Sequence, residues 1–171
     1  MEAAGGRWQD ALPAAAAVEL LHNFSLVHDD IQDVSETRHN RPIIWKVWSE
    51  ASRDQYRRCA HRAFLPAMSR LKETVEPEIV IACLEIFNHT NLELTRGQHL
   101  DLRFEKQAVV TVDEYLSMIR GKTAALVAGS AQLGALIGSK DVDKAARFAE
   151  YGLNSESLPN HDDILRHLGK P

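Results

Sequence analysis

The chain has 171 residues, 44% of them hydrophobic and 26% charged, enough to bury the core of one ordinary globular domain and too apolar for a disordered tail. Its formal net charge of −4 supplies no basic field for nucleic acid, and the sequence has no run of about 18 apolar residues to span a bilayer. Two cysteines, Cys59 and Cys83, lie in helical stretches without metal-binding spacing and read as small hydrophobes of a reducing compartment. The opening stretch MEAAGGRWQDALPAAAAVELL carries Gln9 and Asp10 where a signal peptide needs unbroken apolar residues, so a cytoplasmic protein is expected.

The dominant period is helical. Pro13 suits a first turn, and residues 14–33 then run without Gly or Pro, placing Val18, Leu21, Phe24, Ser25 and His28 near one face. Arg38 and Arg41 follow, and Pro42 closes that segment as a turn. Further helices are predicted over about 49–74, 77–103, 112–120 and 122–138, with Asp113 and Glu114 favouring an N-terminus and Gly138 a stop. Another begins near Asp141. Alternating strand patterns are scarce. The reading is one all-α domain over residues 1–171, without internal repeat, linker or boundary.

Within the first helix, LVHDDIQD places Asp29, Asp30 and Asp33 close together, although neighbouring negative charges repel and Asp is a poor helix former. Asp29 and Asp33 are four residues apart and share a face, with Asp30 three from Asp33, so the carboxylates can converge on one site. Hard oxygen donors at that spacing suit Mg²⁺, whose charge removes the repulsion. A solvated acidic helix end is the other reading of the same spacing. Arg38 and Arg41 weigh toward a metal-bridged polyphosphate, the carboxylates holding metal and the guanidinium taking phosphate oxygens bidentately. A second acidic pair, Asp162 and Asp163, lies in HDDIL, and two acidic clusters on facing helices of a bundle can hold metal ions between them. Between the clusters, RGKTAALV offers Lys122 and Thr123 at the start of an apolar helix. It is not a P-loop, because Leu116 stands where that motif needs its first glycine.

The segments ELLHNFSLVHDDIQD, TRHNRPIIWKVW, LTRGQHLDL, VDEYLSMIRGKTAALV and HDDIL, in that order, resemble the trans-isoprenyl diphosphate synthases, the polyprenyl synthetases that make geranyl, farnesyl and geranylgeranyl diphosphates. The resemblance implies a helical bundle of the isoprenoid synthase type and a Mg²⁺-dependent condensation of an allylic diphosphate with isopentenyl diphosphate. It implies that Asp29, Asp30 and Asp33 form the first aspartate-rich motif, that Asp162 and Asp163 belong to the second, and that Arg38, Lys122 and Thr123 contact diphosphate. Gln98 and Asp101 are implied to lie near the metals, and His22 to contact isopentenyl diphosphate. Phe24 and Ser25, five and four residues before Asp29, lie about one turn deeper, where the family's resemblance implies a floor that limits product length. It also implies a homodimer, or association with a related synthase chain.

The departures set two alternatives beside that reading. Arg38, His39 and Asn40 stand where the family commonly has Arg-Arg-Gly, which turns one permanent cation of the isopentenyl site into an imidazole. The upstream Gly-Lys-Arg segment is missing, LPNHDD replaces Phe-Gln-x-x-Asp-Asp, and the chain ends at Pro171, before the family's final helices. A truncated or diverged member is therefore expected. The alternatives are a catalytically impaired, synthase-like partner subunit and a terpene-cyclase-like enzyme that only ionises the allylic diphosphate.

Overall fold

The computed structural model describes residues 1–33, 37–38, 41–43 and 64–156. These divide into two units, Leu12–Thr74 and Met1–Ala11 with Val75–Pro171.

In the unit Leu12–Thr74, helix α1 runs Leu12–Gln32 and buries Ala14, Ala17, Leu21 and Ser25, a stripe at spacings of three and four that small residues keep narrow. The helix ends within a residue or two of the expected limits, and Asp33, just past its end, still donates its N–H to the Asp29 carbonyl at 2.9 Å. A minimal antiparallel ladder follows, strand β1 (Thr37–Arg38) against β2 (Arg41–Pro42), with Arg38 opposite Arg41 and Thr37 opposite Pro42. Pro42, expected to close a turn, is thus a strand residue. An edge position tolerates its missing N–H. Helical residues 64–69 tighten into a 3₁₀ turn at Arg70–Glu73, and Phe64, Met68 and Leu71 are buried at i, i+4 and i+7. Of the helix expected over 49–74, the part before residue 64 lies outside the described residues.

The other unit is built on helix α2, Pro77–Phe104. Pro77 occupies the first turn, where a missing N–H costs nothing, and Cys83, Phe87, Thr90, Leu94, Gly97, Gln98 and Phe104 form the buried stripe. Helix α3 (Val112–Ile119) opens with a capping box: the Glu114 N–H donates to Thr111 Oγ1 at 3.3 Å and the Thr111 N–H to Glu114 Oε2 at 3.0 Å. That box holds the Glu114 carboxyl below its ordinary pKa, through the hydrogen bonds from the Thr111 backbone and hydroxyl first and the Arg103 charge after them. Phe104, Tyr115 and Met118 close the α2–α3 corner, packed on Leu100, Val110 and Ile119.

Residues Arg120–Ala124 make a π-helical turn that leads without a break into helix α4, Ala125–Ser139. The sequence placed Lys122 and Thr123 at the start of a new helix. Instead the Ala125 N–H reaches back to the Arg120 carbonyl, and one continuous run absorbs an extra residue there. Helix α4 packs on α2 and on helix α5, Val142–Glu156. Against α2, a Cβ on Gly129 would lie 2.1 Å from Thr90 Oγ1, and against α5 the approach is at backbone range, since a Cβ on Gly152 would lie 2.9 Å from Ala128 Cα. Lys140 ends α4 in the left-handed region at φ 56°, and the Lys144 N–H on Asp141 Oδ1 at 3.0 Å starts α5 at the expected place. The N-terminal 3₁₀ turns Glu2–Ala4 and Trp8–Ala11 lie on α4, and Lys144 Nζ donates to the Ala4 carbonyl at 3.2 Å. Among the described residues no helix is long and apolar enough to cross a membrane.

Candidate functional site

The last turn of α1 and strand β1 assemble the first group. Asp30 is 6% exposed; Asp29 is half-buried and Asp33 exposed. The Arg38 guanidinium lies across Asp30 as a fork, Nη2 donating to Oδ1 at 2.9 Å and Nε to Oδ1 and Oδ2 at 3.1 and 3.2 Å. Arg38 is held above its ordinary pKa by that hydrogen bond foremost, with the charges of Asp30, Asp29 and Asp33 adding to it against burial, which acts the other way. All three carboxylates therefore act on one guanidinium, and this is how the folded chain tolerates their crowding. Among the described residues no group of three His, Cys, Asp or Glu side chains is arranged to hold a metal ion unaided.

Behind these carboxylates on α1, Ser25 is buried and its hydroxyl donates to the His22 carbonyl at 2.8 Å. Phe24 is half-buried, its ring 6.2 Å from that of His28 and tilted 51°. The His22 side chain is exposed. Arg41 enters the description through its backbone pairing with Arg38.

The second group stands where α2 meets the π turn. A Cβ on Gly97 would lie 2.1 Å from Lys122 N and 2.4 Å from the Gly121 carbonyl carbon, and one on Gly121 would lie 2.8 Å from Gly97 Cα. Only glycine at both positions lets the two backbones touch. From this contact Lys122 Nζ reaches Asp101 Oδ2 at 2.5 Å, with side chains 30% and 21% exposed. Gln98, beside Gly97, is 7% exposed, while Thr123 is exposed. The structure so brings together Asp29, Asp30, Asp33 and Arg38 in one unit, and Gln98, Asp101 and Lys122 at one crossing in the other. Asp162 and Asp163 lie outside the described residues, as do His39, Asn40 and Pro159.

Sequence reasoning named these side chains but missed both ion pairs and the glycine contact. A signal existed for the last, since Arg96-Gly97 and Arg120-Gly121 are matching dipeptides inside helical patterns that a glycine otherwise weakens.

The family model described as polyprenyl synthetase matches residues 2–165. The chain belongs to the polyprenyl synthetase family. It is 37% identical over 165 residues to the geranylgeranyl diphosphate synthase of Methanosarcina mazei, covering 96% of this chain and 50% of that protein. To the (2E,6E)-farnesyl diphosphate synthase of Mycobacterium bovis it is 38% identical over 175 residues, covering 99% of this chain and 46% of the relative. The crystal structure of geranylgeranyl pyrophosphate synthetase from Pyrococcus horikoshii matches with a TM-score of 0.83 at 32% identity, covering 98% of this chain and 53% of that one. The all-α, isoprenoid-synthase-type fold expected of this polyprenyl synthetase chain is thereby established. The chain spans about half the length of the curated relatives it matches.

Proposed function

We propose that the chain serves a short-chain prenyltransferase reaction, in which an allylic diphosphate condenses with isopentenyl diphosphate to give farnesyl or geranylgeranyl diphosphate in the cytoplasm. The observation that carries this reading is the Arg38 fork on Asp30, with the charges of Asp29 and Asp33 acting on the same guanidinium. The donors are all carboxylate oxygens, the type a hard divalent ion takes. Asp29, Asp30 and Asp33 would hold Mg²⁺ in this reading, and Asp162 and Asp163 are proposed as further metal ligands. Bound there, the metal neutralises charge that develops on the departing diphosphate. Because Mg²⁺ gives up its waters reluctantly and favours phosphate oxygens beside carboxylates, these residues would hold it only with a diphosphate present.

The chain's own residues bind and orient. Arg38, whose Nε and Nη2 lie on Asp30, is the proposed guanidinium contact to diphosphate. Lys122, with Thr123 and Gln98, presents donors to diphosphate, so the allylic C–O bond breaks with its electron pair going to diphosphate. The allylic carbon then bonds to the double bond of isopentenyl diphosphate, and a proton leaves the product. His22 contacts the isopentenyl diphosphate. A second copy of this chain, or a related synthase chain, is the proposed partner.

The test is incubation with an allylic diphosphate, labelled isopentenyl diphosphate and Mg²⁺, followed by chromatography. Labelled farnesyl or geranylgeranyl diphosphate supports the reading. Pyrophosphate release without labelled product would favour the ionising, cyclase-like alternative, and binding without either would favour the impaired partner subunit.

Product length is proposed to be set by Phe24 and Ser25. Wherever elongation is observed, Phe24→Ala removes the ring that limits the tail and should yield products longer by at least one isoprene unit. An unchanged length would place the end of the pocket elsewhere.

A further inference from the structure

Lysine is a flexible point charge, and its reach alone does not determine where its three N–H donors aim. At the α2 crossing the backbones that carry a lysine and its carboxylate partner are held together. Gly97 and Gly121 bring the backbones into contact, with Gly97 Cβ space already taken by Lys122 N. Lys122 follows Gly121 directly, and Asp101 sits one helical turn after Gly97, on the same side of α2. Lys122 and Asp101, whose Nζ and Oδ2 are 2.5 Å apart, are thus both anchored close to one backbone contact. One ammonium donor goes to Asp101, and this fixes the directions of the other two.

We propose that Asp101 is a positioning residue that aims the Lys122 ammonium, and not a metal ligand. The inference rests on the reading of Lys122 as a diphosphate-contacting cation. It departs from the metal-side placement that the family resemblance implies for Asp101. The observation behind it is the direct pairing of the Asp101 carboxylate with the Lys122 ammonium.

The experiment is calorimetric titration of inorganic pyrophosphate, in Mg²⁺, into the unmodified chain, Asp101→Asn, Lys122→Met and the double variant, each shown folded by thermal melting. Asp101→Asn keeps the shape and removes the charge, and Asp101→Ser repeats the measurement with a smaller neutral group. A positioning role predicts that Asp101→Asn weakens pyrophosphate binding by about tenfold when Lys122 is present and by less than about twofold in the Lys122→Met background. The Mg²⁺ concentration for half-saturation at fixed pyrophosphate should not move. Equal losses in both backgrounds, tighter binding, or a raised Mg²⁺ requirement would each overturn the positioning role while leaving Lys122 as a diphosphate contact. Unchanged binding in Lys122→Met would remove the underlying reading of Lys122 and the positioning role together.

Discussion

Replacing Asp29 and Asp33 together by alanine is expected to lower the Mg²⁺-dependent affinity for inorganic pyrophosphate by on the order of 100-fold. Interactions with a charged group contribute about 1.5–3 kcal/mol each. Asp33 is exposed and Asp29 half-buried, so solvent screening places both at the low end, together about 3 kcal/mol or two powers of ten. Asp30 is left in place because it anchors the Arg38 fork, and its removal would strip a cation of its partner as well as a carboxylate from the metal. The loss should disappear when the metal is chelated, since the metal is what joins these carboxylates to the anion. Thermal stability should stay the same or rise, because two repelling charges leave the end of α1. Calorimetry with and without Mg²⁺ reads both halves, and an affinity unchanged in Mg²⁺ would sink the metal assignment.

The helical architecture was legible because its signals are local. The run from Pro13 to Asp33, Pro77 at the head of α2, the Thr111 and Glu114 cap and Asp141 before α5 each act within a few residues of themselves. The π turn was not legible in this way. It lies where Gly121 meets Gly97, 24 positions earlier in sequence, and helical periodicity carries no information about which turn of another helix will arrive. The same distinction runs through the candidate site. Spacing alone showed that Asp29, Asp30 and Asp33 can converge, but the sequence assigned Arg38 to phosphate oxygens, whereas the fold sets its fork on Asp30 through a ladder only two residues long. Lys122 and Asp101 were both singled out, yet as separate contacts. Their pairing depends on a tertiary crossing that the two glycines permit but do not announce. The order of motifs along the chain carried the family assignment, and the match over residues 2–165 agrees with it.

That crossing gives the largest expected effect on stability. In Gly97→Ala the new methyl would lie 2.1 Å from Lys122 N, 2.4 Å from the Gly121 carbonyl carbon and 2.7 Å from Lys122 Cα. All three are backbone atoms, so no rotamer change relieves the overlap and α2 must move away from the π turn. Alanine is the better helix former by about 1 kcal/mol, which offsets part of the strain. Overpacking ordinarily costs about 1–3 kcal/mol and more where neighbours cannot yield. We expect a net loss of about 3 kcal/mol, lowering the melting temperature by about 10 °C. Gly134→Ala supplies the contrast within the same unit. Its nearest neighbour would be Met1 N at 3.4 Å, an ordinary contact, so the gain in helix propensity should leave the melting temperature unchanged or higher. Pyrophosphate binding should follow the same split, since moving α2 separates Asp101 from Lys122 in Gly97→Ala, whereas Gly134→Ala touches neither. Equal melting temperatures for the two variants would mean that the Gly97–Gly121 contact is not what holds α2 against the π turn.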